Sequence, residues 1–270
     1  MPEIELKGRR VRYVDEGEGE PVICLVHGFP LESALWRPQI DHLVARGQRC
    51  LAPDLFGFGG SDVPSEKSDY SIPGYADQVA GLLDALGTGP VVLGGLSMGG
   101  YVALDLVHRR PELVRALVLA DTRAEADTDE GRQRRADQQT FLAGGGERSS
   151  LADGLLDALI GKQGPERENA IDQARSFMLA TPVDGWIGAL EAMRTRADAT
   201  PWLGDIAVPT LVLVGEDDQL TPVASATTLA DRIAGSELVV IPDVGHISNL
   251  EDPHRFSMAL GRFLDRIAGP

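Results

Sequence analysis

The chain has 270 residues, 43% hydrophobic and 24% charged, a balance that supplies a sizeable core for a globular protein. Its net charge of −16, from 41 acidic against 25 basic residues, argues against an electrostatic grip on nucleic acid or anionic lipid. Two cysteines cannot make a disulfide framework, no apolar run approaches the roughly 20 residues that span a bilayer, and no leader pattern is visible, so the expected setting is the cytoplasm, without a membrane partner.

In chain order, the first predicted elements are the strands of a hairpin, 4–7 and 9–15, turning at Gly8. The apolar run 21–27 predicts a buried strand, 38–46 a helix and 49–52 another buried strand. Cys24 and Cys50 fall inside those two strands and are assigned to packing. A helix over 74–86 leads to 90–96, the most uniformly apolar strand. An amphipathic helix follows over 99–109, with Val102, Ala103, Leu106 and Val107 on one face. Strand 116–120 comes next. After a long interruption the alternation resumes with strand 210–214, helix 223–233, strand 237–241 and a closing helix over 253–267.

Buried strands alternating with helices mean a mostly parallel sheet covered on both faces, here an α/β fold with eight predicted strands. The interruption, 122–202, exceeds the about 4–6 residues of an ordinary connection and must carry structure of its own. Helical period marks 133–142, 150–160, 166–179 and 184–196, punctuated by Gly144-Gly145-Gly146 and Thr181-Pro182. The expected organisation is a core of 1–121 and 203–270 with a helical lid, 122–202, inserted between two strands.

The strongest chemical signal is Gly95-Leu96-Ser97-Met98-Gly99, a G-x-S-x-G pattern between an apolar strand and an amphipathic helix. A serine at so sharp a turn is held in strained geometry with its hydroxyl clear of the sheet. The flanking glycines lack the Cβ atoms that would collide there, and the helix directs its N–H groups at the site. A nucleophilic serine needs a base, and the base an orienting acid. Of the five histidines, His42 and His108 lie on polar sides of predicted helices and His254 at the start of the last one. His246 stands just past the final strand, at the carboxyl edge where open α/β sheets place their sites. For the acid, Glu216, Asp217 and Asp218 all follow strand 210–214, and Asp121 follows strand 116–120; residue chemistry alone does not choose among them.

These segments resemble the lid-bearing α/β-hydrolase superfamily over nearly the whole chain. The resemblance runs through His27-Gly28-Phe29-Pro30, the stretch from Asp54 to Asp62, Gly95 to Gly100, Gly215 to Asp218, and Gly245-His246. It implies an α/β-hydrolase fold in which the acid closing G-x-x-D is Asp218, completing a triad with Ser97 and His246. It also implies an oxyanion hole from the backbone N–H groups of Phe29 and Met98, with His27 structural. The stretch Ser97 to Gly100 together with Gly245 to Glu251 is similar to the branch of 3-oxoadipate enol-lactonases, small esterases and cofactor-free perhydrolases.

The implied activity is hydrolysis of a small-molecule carboxylic ester or lactone, with no metal and no cofactor. Perhydrolysis, carbon–carbon bond hydrolysis on the same triad and a small-molecule receptor role are the alternatives. Ser97 stands where dehalogenases and epoxide hydrolases of this fold carry an aspartate, which removes those two readings. In the lid, Phe141, Leu155, Leu159, Phe177, Trp186, Leu190 and Met193 recur at helical spacing, and packing is the expected role for most of them. Arg123 is read as a surface arginine, with a partner for a substrate carboxylate as the alternative.

Overall fold

The computed structural model describes residues 1–268. Its centre is a sheet of β1 (Glu3–Leu6), β2 (Arg9–Glu16), β3 (Ile23–Val26), β4 (Cys50–Pro53), β5 (Val91–Leu96), β6 (Val114–Ala120), β7 (Thr210–Gly215) and β8 (Glu237–Ile241). The spatial order is β1-β2-β4-β3-β5-β6-β7-β8. β2 pairs antiparallel with β1 and β4, and every other neighbour is parallel. The β1–β2 turn is Lys7-Gly8, both with positive φ (52° and 79°), the geometry that matches the twist of a two-residue hairpin.

The helices are α1 (Arg37–Ala45), α2 (Ile72–Leu86), α3 (Met98–Arg109), α4 (Asp129–Ala143), α5 (Arg148–Leu159), α6 (Arg167–Ala180), α7 (Val183–Arg194), α8 (Val223–Arg232), α9 (Ser248–Glu251) and α10 (Pro253–Ala268). α1 packs with α10 on one face of the sheet and α2 with α3 on the other. β5 is the middle of the core: all six of its residues are buried, including Val91, Val92, Leu93 and Leu96. A fully buried Val or Leu contributes about 1.5–3 kcal/mol, so the strand that carries the serine is among the hardest to displace. None of the described helices is long and apolar enough to cross a membrane.

The helical insertion, α4 to α7, lies between β6 and β7 and forms a lid. α4 starts four residues before its predicted position. Thr128 caps it, its Oγ1 accepting from the Gly131 N–H at 3.1 Å, with Asp129 and Glu130 in the first turn. Likewise α2 starts at Ile72, because the Ser71 hydroxyl accepts from the Gly74 N–H at 3.0 Å. The single turn α9 was not predicted, since four residues are too few to show a helical period.

Candidate active site

Four loops at the carboxyl edge of the sheet, those after β5, β6, β7 and β8, bring the polar side chains together. Ser97 follows β5 directly, with φ 54° and ψ −112°, in a region a non-glycine residue enters only when its surroundings impose it. The surroundings do so: the Ser97 N–H donates to the Ala120 carbonyl at 2.9 Å, and its own carbonyl accepts from the Gly100 N–H at 2.9 Å and the Thr122 hydroxyl at 2.8 Å. A Cβ on Gly95 would sit 2.1 Å from the Gly99 carbonyl oxygen, and one on Gly99 2.2 Å from that of Val26. The turn therefore closes only with glycine at both positions.

His246 Nε2 lies 2.7 Å from Ser97 Oγ, and its Nδ1 lies 2.8 Å from Asp218 Oδ2. The carboxylate can only accept, so Nδ1 carries the proton and Nε2 is free to accept from the serine hydroxyl. Asp218 is fixed in turn by the Leu220 and Thr221 N–H groups on Oδ1 (2.8 and 2.9 Å) and the Thr221 hydroxyl on Oδ2 (2.7 Å). Both side chains are almost fully buried. Burial disfavours the charged imidazole, but the Asp218 charge and hydrogen bond outweigh it and raise the His246 pKa above the ordinary value. Burial similarly opposes the Asp218 carboxylate, and the adjacent His246 and Thr221 bring its pKa below the usual carboxylate value.

The other candidate acids are placed elsewhere. Asp121 is fully buried and accepts from the Gly215 N–H at 2.9 Å and from the Ser248 hydroxyl at 2.6 Å, with no bond to His246. Burial and the nearby Asp218 charge raise its pKa, and the bonds it accepts from Gly215 and Ser248 tie β7 to α9. Asp217 accepts from the Lys162 N–H of the lid, and Glu216 from the Asp243 N–H. His27 uses both ring nitrogens on backbone: Nε2 accepts from the Leu55 N–H at 3.0 Å, leaving Nδ1 to donate to the Gly28 carbonyl at 2.9 Å. The Met98 N–H is the first of α3 and has no intrahelical acceptor by construction. Phe29 lines the same cavity as Ser97, its ring edge-on to Trp186 with centroids 5.0 Å apart.

Ser97 and His246 open into a cavity of about 140 Å³ under the lid. Leu155, Leu159, Trp186 and Met193 line it, so four of the seven lid residues expected mainly to pack in fact face the site. Phe141 is instead exposed, and Leu190 is buried in the core. Arg123 is not the surface arginine expected: it lines the cavity, with its side chain 27% exposed. Arg134 and Arg135 of α4 join it. Nothing in the sequence singled these two out, because α4 is polar almost all round and its period does not say which face meets a cavity.

Glu251 was also missed as a site residue. It is fully buried, and its carboxylate accepts from the lid residue Gly161 at 2.7 Å and from Gly245, next to His246, at 2.9 Å. The His246 N–H itself donates to the lid carbonyl of Leu159 at 2.7 Å. The end of α5 is thus latched to the loop that carries the histidine.

A family model described as alpha/beta hydrolase fold matches residues 21–253. The chain is 31% identical to 2-hydroxymuconate semialdehyde hydrolase of Pseudomonas sp. (strain CF600), over 97% of this chain and 93% of the relative. Among solved structures it is similar to a malate-bound thermophilic esterase from Thermogutta terrifontis (TM-score 0.92, 33% identity, 99% of each chain). It is also similar to the enol-lactonase from Burkholderia xenovorans LB400 (TM-score 0.89, 29% identity, 98% of this chain and 100% of that one).

Proposed function

The chain belongs to the alpha/beta hydrolase fold family, and from that premise we propose that it cleaves a carboxylic ester or lactone with Ser97 as nucleophile, His246 as general base and Asp218 as the orienting acid. The observation that carries this reading is the unbroken line of hydrogen bonds from Ser97 Oγ through His246 to Asp218, at 2.7 and 2.8 Å.

His246 Nε2 takes the hydroxyl proton as Ser97 Oγ attacks the carbonyl carbon, and Asp218 stabilises the imidazolium that forms. The carbonyl electrons move to an oxyanion held by the Phe29 and Met98 N–H groups; one such donor is worth about 3–4 kcal/mol, on the order of a hundredfold to a thousandfold in rate. As the tetrahedral species collapses, the C–O bond to the leaving alcohol breaks and His246 Nε2–H protonates that oxygen. Water then attacks the acyl-serine by the same route and releases the acid. In a lactone the leaving alcohol stays attached, and the product is a hydroxy or keto acid.

Residues 1–121 and 203–270 serve in this reading as the catalytic core, and 122–202 as the lid that shapes the pocket. A cytoplasmic setting is supported by Cys24 and Cys50, buried thiols on adjacent strands that remain unpaired. The similarity to a semialdehyde hydrolase supports a second reading that keeps the triad and changes the bond broken. Hydrolysis of p-nitrophenyl esters from C2 to C12 by the wild type and by Ser97→Ala tests the proposal. Turnover in the wild type that disappears in the mutant is the expected result; full activity in Ser97→Ala removes the serine from the mechanism.

A further inference from the structure

We propose that the cavity selects an ester or lactone bearing a free carboxylate, held by a guanidinium wall of Arg123, Arg134 and Arg135. For the bond that is broken this rests on the reading above; for binding it stands alone. The chain has 41 acidic residues against 25 basic ones, yet three arginines and no carboxylate line this cavity among the described residues.

The local counter-ion does not cancel them. Asp127, its side chain 1% exposed, accepts from Arg123 at 2.7 Å, Arg135 at 2.5 Å and Arg196 at 2.7 Å. One carboxylate facing three guanidinium groups leaves two positive charges in excess, and Arg134 adds another. Burial opposes the Asp127 charge, but Arg135 and Arg196 hold its pKa down to about 2, so it stays ionised and fully engaged.

The three partners of Asp127 divide by position. Arg196 is buried with its guanidinium 4.2 Å from the centre of the Tyr101 ring and does not line the cavity, so it braces the cluster. Arg123 and Arg135 do line it. The Arg123 Nε–H has no acceptor among the described residues although it is buried, a donor left unspent in a wall that excludes anions of the protein's own. An arginine fork matches the two coplanar oxygens of a carboxylate. Leu151, Leu155 and Leu159 of α5, which line the same cavity, offer only hydrocarbon. A short carbon chain fits this division, its reacting carbonyl at Ser97 and its free carboxylate on the arginines.

The test compares kcat/KM for monomethyl adipate, an anionic half-ester, with that for its neutral counterpart dimethyl adipate. The wild type is expected to favour the half-ester at least tenfold. Arg123→Gln lowers that ratio tenfold or more, and Arg134→Gln, on an exposed side chain whose loss does not threaten folding, lowers it severalfold. Arg132→Gln, on the same helix but paired with Asp129 outside the cavity, leaves both activities unchanged. Asp127 keeps Arg135 and Arg196 when Arg123 is replaced, so that variant retains its buried pairing.

Binding is read separately by calorimetry with Ser97→Ala and the half-ester, where adding Arg123→Gln is expected to weaken affinity at least tenfold. A wild type indifferent to the carboxylate, or arginine variants with the wild-type ratio, overturns the proposal. Absent turnover of both esters alongside Arg123-dependent binding sinks the esterase reading and keeps the anion site. Absence of binding to Ser97→Ala refutes the anion site.

Discussion

Substituting Gly161 by alanine probes the latch between the lid and the histidine loop. A Cβ on Gly161 would lie 2.5 Å from the Gly245 nitrogen, 2.6 Å from the Val244 carbonyl carbon and 2.8 Å from the Val244 Cα. All three are backbone atoms, so no side-chain rotation relieves the clash, and the two loops must part by about an ångström to reach ordinary contact. Overpacking of this kind costs about 1–3 kcal/mol. Parting the loops also deprives the buried Gly161 N–H of Glu251, which costs about 1–3 kcal/mol more, for a total of about 2–6 kcal/mol.

Because Leu159 accepts from the His246 N–H, part of the displacement is passed to the imidazole. A misplacement near 1 Å lowers turnover on the order of a hundredfold, and a shared displacement therefore lowers kcat by about 10- to 100-fold, with KM changed less. Urea unfolding monitored by circular dichroism reads the stability, and steady-state ester hydrolysis reads kcat. Wild-type values of both in Gly161→Ala would refute the latch.

The acid limb of the kcat/KM profile is expected above pH 6.5, because His246 must be neutral to act and Asp218 raises its pKa despite burial. Asp218→Asn removes that charge; kcat falls on the order of 10⁴-fold and the limb moves to lower pH, so an unmoved limb would contradict the assignment of Asp218 as its cause. Asp127→Asn strands the buried Arg196 and destabilises the protein by about 3–5 kcal/mol, measured as a lower urea midpoint. Glu251 gives a pH-dependent contribution of opposite sign to that of a salt-bridged acid. Burial pushes its pKa up to about 7 from 4.5, so the folded state binds the proton more tightly. That stability is fully present below about pH 4.5 and is lost as pH rises through 7, about 3 kcal/mol in all. Unfolding of the wild type and Glu251→Gln at pH 4.5 and 7.5 isolates it: equal pH slopes in the two proteins would exclude this titration.

The succession of strands along the chain, the elbow at Ser97 and the helical nature of 122–202 were legible in the sequence, because each is written in short-range terms. Buried strands are apolar runs, helices repeat with a fixed period, and a serine between glycines at a strand-to-helix turn has little else to do. The acid was a different matter. Asp121, Glu216, Asp217 and Asp218 are chemically alike and all follow strands; family resemblance pointed to Asp218, and only the fold shows that His246 Nδ1 meets it while Asp121 turns to Gly215 and Ser248. Arg123, Arg134 and Arg135 were unreadable as a group, since their convergence depends on how α4 lies over the sheet. The same holds for Gly161 against Gly245, residues 84 positions apart whose backbones touch. Local sequence sets which segments fold into strand or helix through backbone sterics and hydrophobic period; the docking of the lid, which those rules do not contain, decides which charges face the substrate.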